Sequence, residues 1–214
     1  MKLYGSSLSP FVRKVAAVLS LKELAYELEQ AMFGSLPKDL SPLGKIPAFS
    51  DGNLKIADSS VICAYLDDKY PDRPMLPQSP EDRARARWFE EFADSKLADL
   101  CGGGIFFERV VKKMVMGQDV DEAKVANTIN TLLPPVLDYL EGELPGDGFL
   151  FGAPGLADIS IATHFVNAGY GGYQPDAARW PKITAFVARV SALPAMQKQF
   201  TLERAIMAQM GGGK

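Results

Sequence analysis

Residues 3–21 read LYGSSLSPFVRKVAAVLSL, with Ser6, Ser7 and Ser9 crowded ahead of Pro10. Lys2 to Gly5 alternate in the manner of a short strand, and Phe11, Val12, Val15, Ala16 and Leu19 recur on one helical face. The serines therefore occupy a turn between a strand and a helix. Proline suits the first helical position because its missing donor would be unpaired there anyway. Ser9 is thus expected to cap the helix and Pro10 to open it. On these residues alone Ser9 is a plain cap, part of a phosphate cradle, or a source of chemistry.

Working outward, Tyr26 to Gln30 reads as a second strand, and the intervening helix makes a βαβ unit with parallel strands. Ile46 to Phe49 and Leu54 to Ala57 flank SDGN, whose Asp51-Gly52 pair signals a tight hairpin. Ser59 to Tyr70 follows as a helix with Val61, Ile62, Tyr65 and Leu66 on its apolar face. In PDRPMLPQSP, Pro71, Pro74, Pro77 and Pro80 prevent regular structure and mark a linker. Beyond it the pattern is helical. EDRARARWFEEFADSKLADL is a long amphipathic helix with a candidate break or bend at Gly102 to Gly104. Further helices are expected over Asp121 to Glu141, Gly155 to Ala168, Lys182 to Leu193 and Pro194 to Met207, with a frayed tail at Gly211 to Gly213.

Composition excludes several functions. A chain of 214 residues with 47% hydrophobic content can bury a sizeable core in one large or two small domains. A net charge of −3 without long basic runs argues against a nucleic-acid surface. Cys63 and Cys101 cannot make a disulfide framework, and with one histidine they cannot complete a four-ligand zinc site, so no metal is expected and a cytoplasmic location fits best. Arg13 and Lys14 interrupt the first apolar run, and no stretch of about 18 apolar residues exists, so neither a signal peptide nor a membrane span is expected.

LYGSSLSPFVRKV, GKIPAF, ADSSVICAYL and FLFGAPGLADISIATHF, in this order and spanning essentially the whole chain, resemble the cytosolic glutathione transferase (glutathione S-transferase) family, and its serine-using branches in particular. The resemblance implies an α/β amino-terminal thioredoxin-like domain (βαβ-ββα, residues 1–72), a linker (73–80) and an all-α helical domain (81–214). It implies a homodimer paired partly through the long helix bearing Trp88, Phe89 and Phe92. Glutathione is then the co-substrate, conjugated to small hydrophobic electrophiles in a detoxifying reaction.

The serine of those branches stands four residues after the glycine that ends the strand, which is Ser9 here. The chemistry suits a hydroxyl. A cysteine-type thiol titrates near ~8.5 and is mostly protonated at neutral pH, so the site must favour the thiolate. A serine is too weak a base to take the proton, but donating a hydrogen bond to charged sulfur contributes roughly 1.5–3 kcal/mol. The helix N-terminus adds about 0.3–1 kcal/mol in the same direction.

The resemblance carries further roles. Pro47 is implied to follow a cis bond that presents the Ile46 backbone to the cysteinyl amide of glutathione, and Lys45 to meet its glycine carboxylate. Asp58 and Ser59 stand where the family usually has Glu-Ser, facing the ammonium and carboxylate of the γ-glutamyl group. Read without the family, Pro47 is an edge-strand proline, Lys45 a surface charge, and Asp58-Ser59 a helix cap. The electrophile pocket is implied near Ser7 and Leu8, with Phe106, Phe107, Tyr170 and Tyr173 as candidates that equally suit a core. Asp158 matches the folding motif of the helical domain, although Gly155 replaces the usual Ser or Thr cap.

Other functions fit less well. A serine hydrolase needs a histidine, but His164 stands alone among apolar residues and no G-x-S-x-G elbow exists, so it reads as a satisfied core or interface histidine. Gly102 to Gly104 lack the strand and lysine of a phosphate loop. A non-catalytic family member acting as a binding or regulatory module would be expected to lose the thiolate donor. A glutathione-dependent reductase would usually carry a cysteine where Ser9 stands, and an isomerase of the same family remains the other alternative.

Overall fold

A computed structural model describes residues 1–211, with side-chain surroundings through Ala208. Strands β1 (Lys2–Tyr4), β2 (Glu27–Glu29), β3 (Ala48–Asp51) and β4 (Leu54–Ala57) form one mixed sheet in the order β2-β1-β3-β4. Helix α1 (Pro10–Leu21) connects β1 to its parallel neighbour β2, and α2 (Ser59–Lys69) follows the antiparallel β3–β4 hairpin. This is the expected βαβ-ββα thioredoxin-like arrangement: β4 has the expected bounds, β1 and β2 stop one residue short at one and both ends, and β3 starts and ends two residues later than the sequence suggests. The hairpin turn sits one residue late. Asp51 pairs with Leu54, so Gly52 and Asn53 make the turn, and Gly52 takes the positive φ of 59° that glycine adopts without a steric penalty.

The remainder is helical: α3 (Pro80–Phe92), α4 (Glu122–Asn127), α5 (Leu133–Glu143), α6 (Leu156–Tyr170), α7 (Pro181–Ser191) and α8 (Pro194–Gly211). The long helix does not break at Gly102 to Gly104. It runs from α3 into a wider π-helical stretch, Ala93–Val115, whose end is closed by a bond from the Met116 N–H to the Val111 carbonyl at 3.0 Å. Gly104 has a packing reason, since a Cβ there would lie 2.6 Å from the Thr128 side chain. The expected helix over Asp121 to Glu141 is instead α4, a π-helical turn Thr128–Leu132, and α5. The widening falls just before Pro134 and Pro135, which cannot donate to a regular ladder. The last helix extends past Met207 to Gly211; the rest of the tail read as frayed lies outside the described residues.

Helix α1 joins the two halves, packing on α2 on one side and on α6 and α8 on the other. Its apolar positions Val12, Val15, Ala16 and Leu19 are buried with Leu3, Phe49, Ile62 and Leu66. Arg13 and Lys14 are buried as well, which their polarity conceals. Arg13 is gripped by Glu203 of α8 and by Thr163 and Asn167 of α6. Lys14 reaches Glu90 at 2.9 Å, Ser60 at 3.2 Å and Asp94. Burial opposes charge on the Lys14 amine, but Asp94, with Glu90, holds its pKa above the usual lysine range.

Asp158 organises the start of α6, accepting from the N–H groups of Leu150 and Gly155 at 2.9 Å each. The glycine at the cap position has a local cause. A Cβ on Gly155 would meet the Met75 carbonyl at 2.9 Å, and that carbonyl accepts from the Leu156 N–H at 2.9 Å. Backbone from the inter-domain segment occupies the space of a Ser or Thr side chain. No helix among the described residues is long and apolar enough to cross a membrane.

Candidate active site

The start of α1, the turn before β3, the start of α2 and one face of the long helix enclose a cavity of about 640 Å³. Ser9 stands at its edge as the N-cap of α1, with extended φ and ψ of −72° and 127°. Its Oγ accepts from the Val12 N–H at 3.4 Å. That bond uses a lone pair and leaves the hydroxyl proton free, so capping and donation to a thiolate are compatible rather than competing roles. The other two serines are engaged elsewhere. Ser6 Oγ accepts from the Leu8 N–H at 3.3 Å. Ser7 is buried and paired with Gln30, whose Nε2 donates to Ser7 Oγ at 2.8 Å. Neither Ser6 nor Ser7 lines the cavity.

Lys45, Ile46 and Pro47 form the next wall, and the Ile46–Pro47 bond is cis. The Pro47 carbonyl accepts from the Asp58 N–H at 3.3 Å, which ties this turn to the start of α2. Asp58 caps that helix from an unusual backbone position, φ 86° and ψ 129°, and its Oδ1 accepts from the Ser60 and Val61 N–H groups at 2.9 and 3.2 Å. A non-glycine residue held at positive φ costs of order 1–3 kcal/mol and tends to cluster at ligand clamps. The cap narrows what α2 offers an anion. Two of its first donors are already taken by Asp58, so the Ser59 N–H and hydroxyl remain, with Ser59 buried at the cavity wall.

Of the electrophile-pocket candidates, Phe106 and Phe107 line the cavity, whereas Leu8, Tyr170 and Tyr173 do not. Leu8 packs in a small apolar cluster with Phe106 and Val110. The Tyr170 hydroxyl donates to Glu203 at 2.5 Å, and both Tyr170 and Tyr173 line a separate hollow between α6, α7 and α8. Tyr170 is drawn away by its bond to Glu203 of α8.

Beneath the cavity lies a polar group that the sequence did not announce. Asp94, Ser60 and His164 all line it, with Lys14 behind them. Burial would push the Asp94 carboxyl up, yet the adjoining His164 and Lys14 hold it below its usual range. His164 corrects the expectation of a satisfied histidine. It is fully buried, neither ring nitrogen has a hydrogen-bond partner, and its Nε2 stands 3.6 Å from Asp94 Oδ1, which is likewise unpartnered. Burial lowers its pKa, and the neighbouring Asp94 opposes that shift. Cys63 and Cys101 are buried with thiols pushed up by desolvation, Cys101 to about 12, and neither can supply a thiolate.

Residues 3–74 match the family model described as glutathione S-transferase, N-terminal domain. A glutathione S-transferase of Hyoscyamus muticus is 35% identical over 172 residues, covering 76% of this chain and 79% of the relative. The chain belongs to the glutathione S-transferase family. Glutathione S-transferase U7 of Arabidopsis thaliana is 34% identical over 168 residues, covering 76% of this transferase and 67% of that relative. Among solved structures, a glutathione S-transferase from Rhodospirillum rubrum F11 superposes with a TM-score of 0.84 at 25% identity, over 92% of this chain and 90% of that one.

Proposed function

We propose that this enzyme is a serine-using glutathione transferase in which Ser9 donates a hydrogen bond to the glutathione thiolate, and that it conjugates small hydrophobic electrophiles. The observation that carries the reading is the convergence of Ser9, the Ile46–Pro47 turn and the Asp58-Ser59 helix start on one cavity. Residues 1–72 hold glutathione, and residues 81–214 supply the electrophile wall through Phe106 and Phe107.

In this reading the γ-glutamyl carboxylate meets Ser59, and its ammonium meets Asp58 Oδ2, which has no hydrogen bond among the described residues. The Ile46 backbone pairs with the cysteinyl amide. Lys45, exposed at the rim, receives the glycine carboxylate. The sulfur then lies at the positive end of α1, where the dipole and the Ser9 hydroxyl both favour its charged form. The thiolate attacks the electrophile against the apolar wall.

Glutathione-affinity retention followed by a screen of aryl halides, epoxides and enones tests this activity; failure to bind glutathione removes it. Within the site, Asp58→Ala is expected to raise the KM for glutathione about tenfold, because a charge-assisted bond contributes roughly 1.5–3 kcal/mol. Steady-state kinetics with glutathione varied, alongside a thermal melt, checks this. An unchanged KM with a lowered melting temperature would leave Asp58 as a cap alone.

A homodimer and a cytoplasmic location belong to the same proposal. Phe89 is in the core and unavailable for pairing, but Trp88 and Tyr139 are exposed and joined by a 3.1 Å bond from the indole N–H, with Phe92 packed against both. Sedimentation is expected to give a dimer at micromolar concentration. A monomer there would contradict the pairing.

A further inference from the structure

The three consecutive glycines of the long helix are not equivalent. Gly104 is required by its approach to Thr128, but a Cβ on Gly102 would meet nothing within 4 Å, and one on Gly103 would meet only Asp99 Oδ1 at 3.8 Å. Neither has a positive φ. Packing and backbone conformation therefore leave both free to carry a side chain, and glycine weakens a helix interior more than any residue except proline. Both line the cavity, between Ala98 and Phe106 on the same face. A side chain at Gly102 would project into space that is now open.

We infer that Gly102 and Gly103 set the width of the electrophile side, so that the transferase accepts flat aryl electrophiles wider than a single ring, lying across bare helix backbone with their edge toward Phe106 and Phe107. This rests on the proposed transferase reading and specifies its substrate class. In the reaction the thiolate sulfur bonds to the ring carbon bearing the halogen, and the electron pair passes into the ring and its nitro groups. It then returns as the carbon–halogen bond breaks and halide leaves.

The test compares 1-chloro-2,4-dinitrobenzene with 1-chloro-2,4-dinitronaphthalene, which share a leaving group and activation but differ by one fused ring. Gly102→Leu is expected to lower kcat/KM for the naphthalene by about tenfold or more, in keeping with what a few methylene groups achieve in an apolar pocket. The loss on the benzene should be smaller, so that the ratio of the naphthalene to the benzene kcat/KM falls by about threefold or more. Gly102→Ala, adding one methyl group, should fall between and raise the melting temperature. Equal losses on both electrophiles, or no loss on either, would overturn the inference while leaving the transferase reading intact. A wild-type protein that binds no glutathione would overturn both.

Discussion

Arg13→Ala is expected to destabilise the folded chain by about 3–5 kcal/mol, the usual consequence of leaving a buried charge without its partner. Arg13 Nε and Nη2 donate to the two carboxylate oxygens of Glu203 at 2.6 and 2.9 Å. Its Nη1 donates to the Thr163 carbonyl, the Thr163 hydroxyl and Asn167 Oδ1 at 2.9, 2.8 and 2.7 Å. Both side chains of the ion pair are fully buried. The alanine variant would leave Glu203 charged in a buried seam, with the Tyr170 hydroxyl its remaining hydrogen-bond donor among the described residues. Urea unfolding measures the loss. Arg13→Lys should recover little, because an ammonium cannot reproduce the planar fork. Arg13→Met combined with Glu203→Leu should recover most of it, since removing both charges also removes both desolvation costs. A single-variant loss below about 1 kcal/mol would show that water enters this seam and screens the pair.

This cluster also marks where the sequence stopped being informative. Arg13 and Lys14 read as charges interrupting an apolar run, and nothing near them announces partners at Glu203 and Asp94, 190 and 80 residues away. Periodicity identifies which face of α1 is apolar; it cannot reveal that α8 and the long helix bring carboxylates to the remaining positions. The β1–α1 turn was legible because Ser9 and Pro10 act within one helical turn, and the hairpin because Gly52 acts within one residue. The cis bond at Pro47 came from the family likeness alone. The continuous helix through Gly102 to Gly104 was not legible, because glycine permits a bend and only packing decides whether one occurs. The same holds for the aromatics: Phe106 and Tyr170 look equivalent in sequence, and Glu203 draws one of them away from the cavity.

The Ser9→Ala variant carries the second large effect. In the proposed role the hydroxyl would favour the thiolate over the thiol by roughly 1.5–3 kcal/mol, which corresponds to about 1–2 pKa units. A hydrogen bond to the charged form lowers the pKa, so its removal raises it. The acid limb of the rate profile should therefore move to higher pH by about 1–2 units, with a tenfold to hundredfold loss near pH 6.5 that diminishes toward pH 9. The α1 dipole and backbone donors would persist in the variant and still favour the residual thiolate. Folding is affected less, since losing the long 3.4 Å cap to the Val12 N–H costs about 1 kcal/mol. Ser6→Ala and Ser7→Ala should leave the profile in place, because their hydroxyls point to Leu8 and Gln30 rather than into the cavity.

The most direct measurement is the ultraviolet titration of enzyme-bound glutathione thiolate in the wild type and in the three serine variants, since it reads ionisation without requiring the electrophile to be known. The account predicts a midpoint below that of free glutathione in the wild type, Ser6→Ala and Ser7→Ala proteins, and one higher by about 1–2 units in Ser9→Ala. A midpoint unmoved in Ser9→Ala, or moved instead in Ser7→Ala, would contradict it.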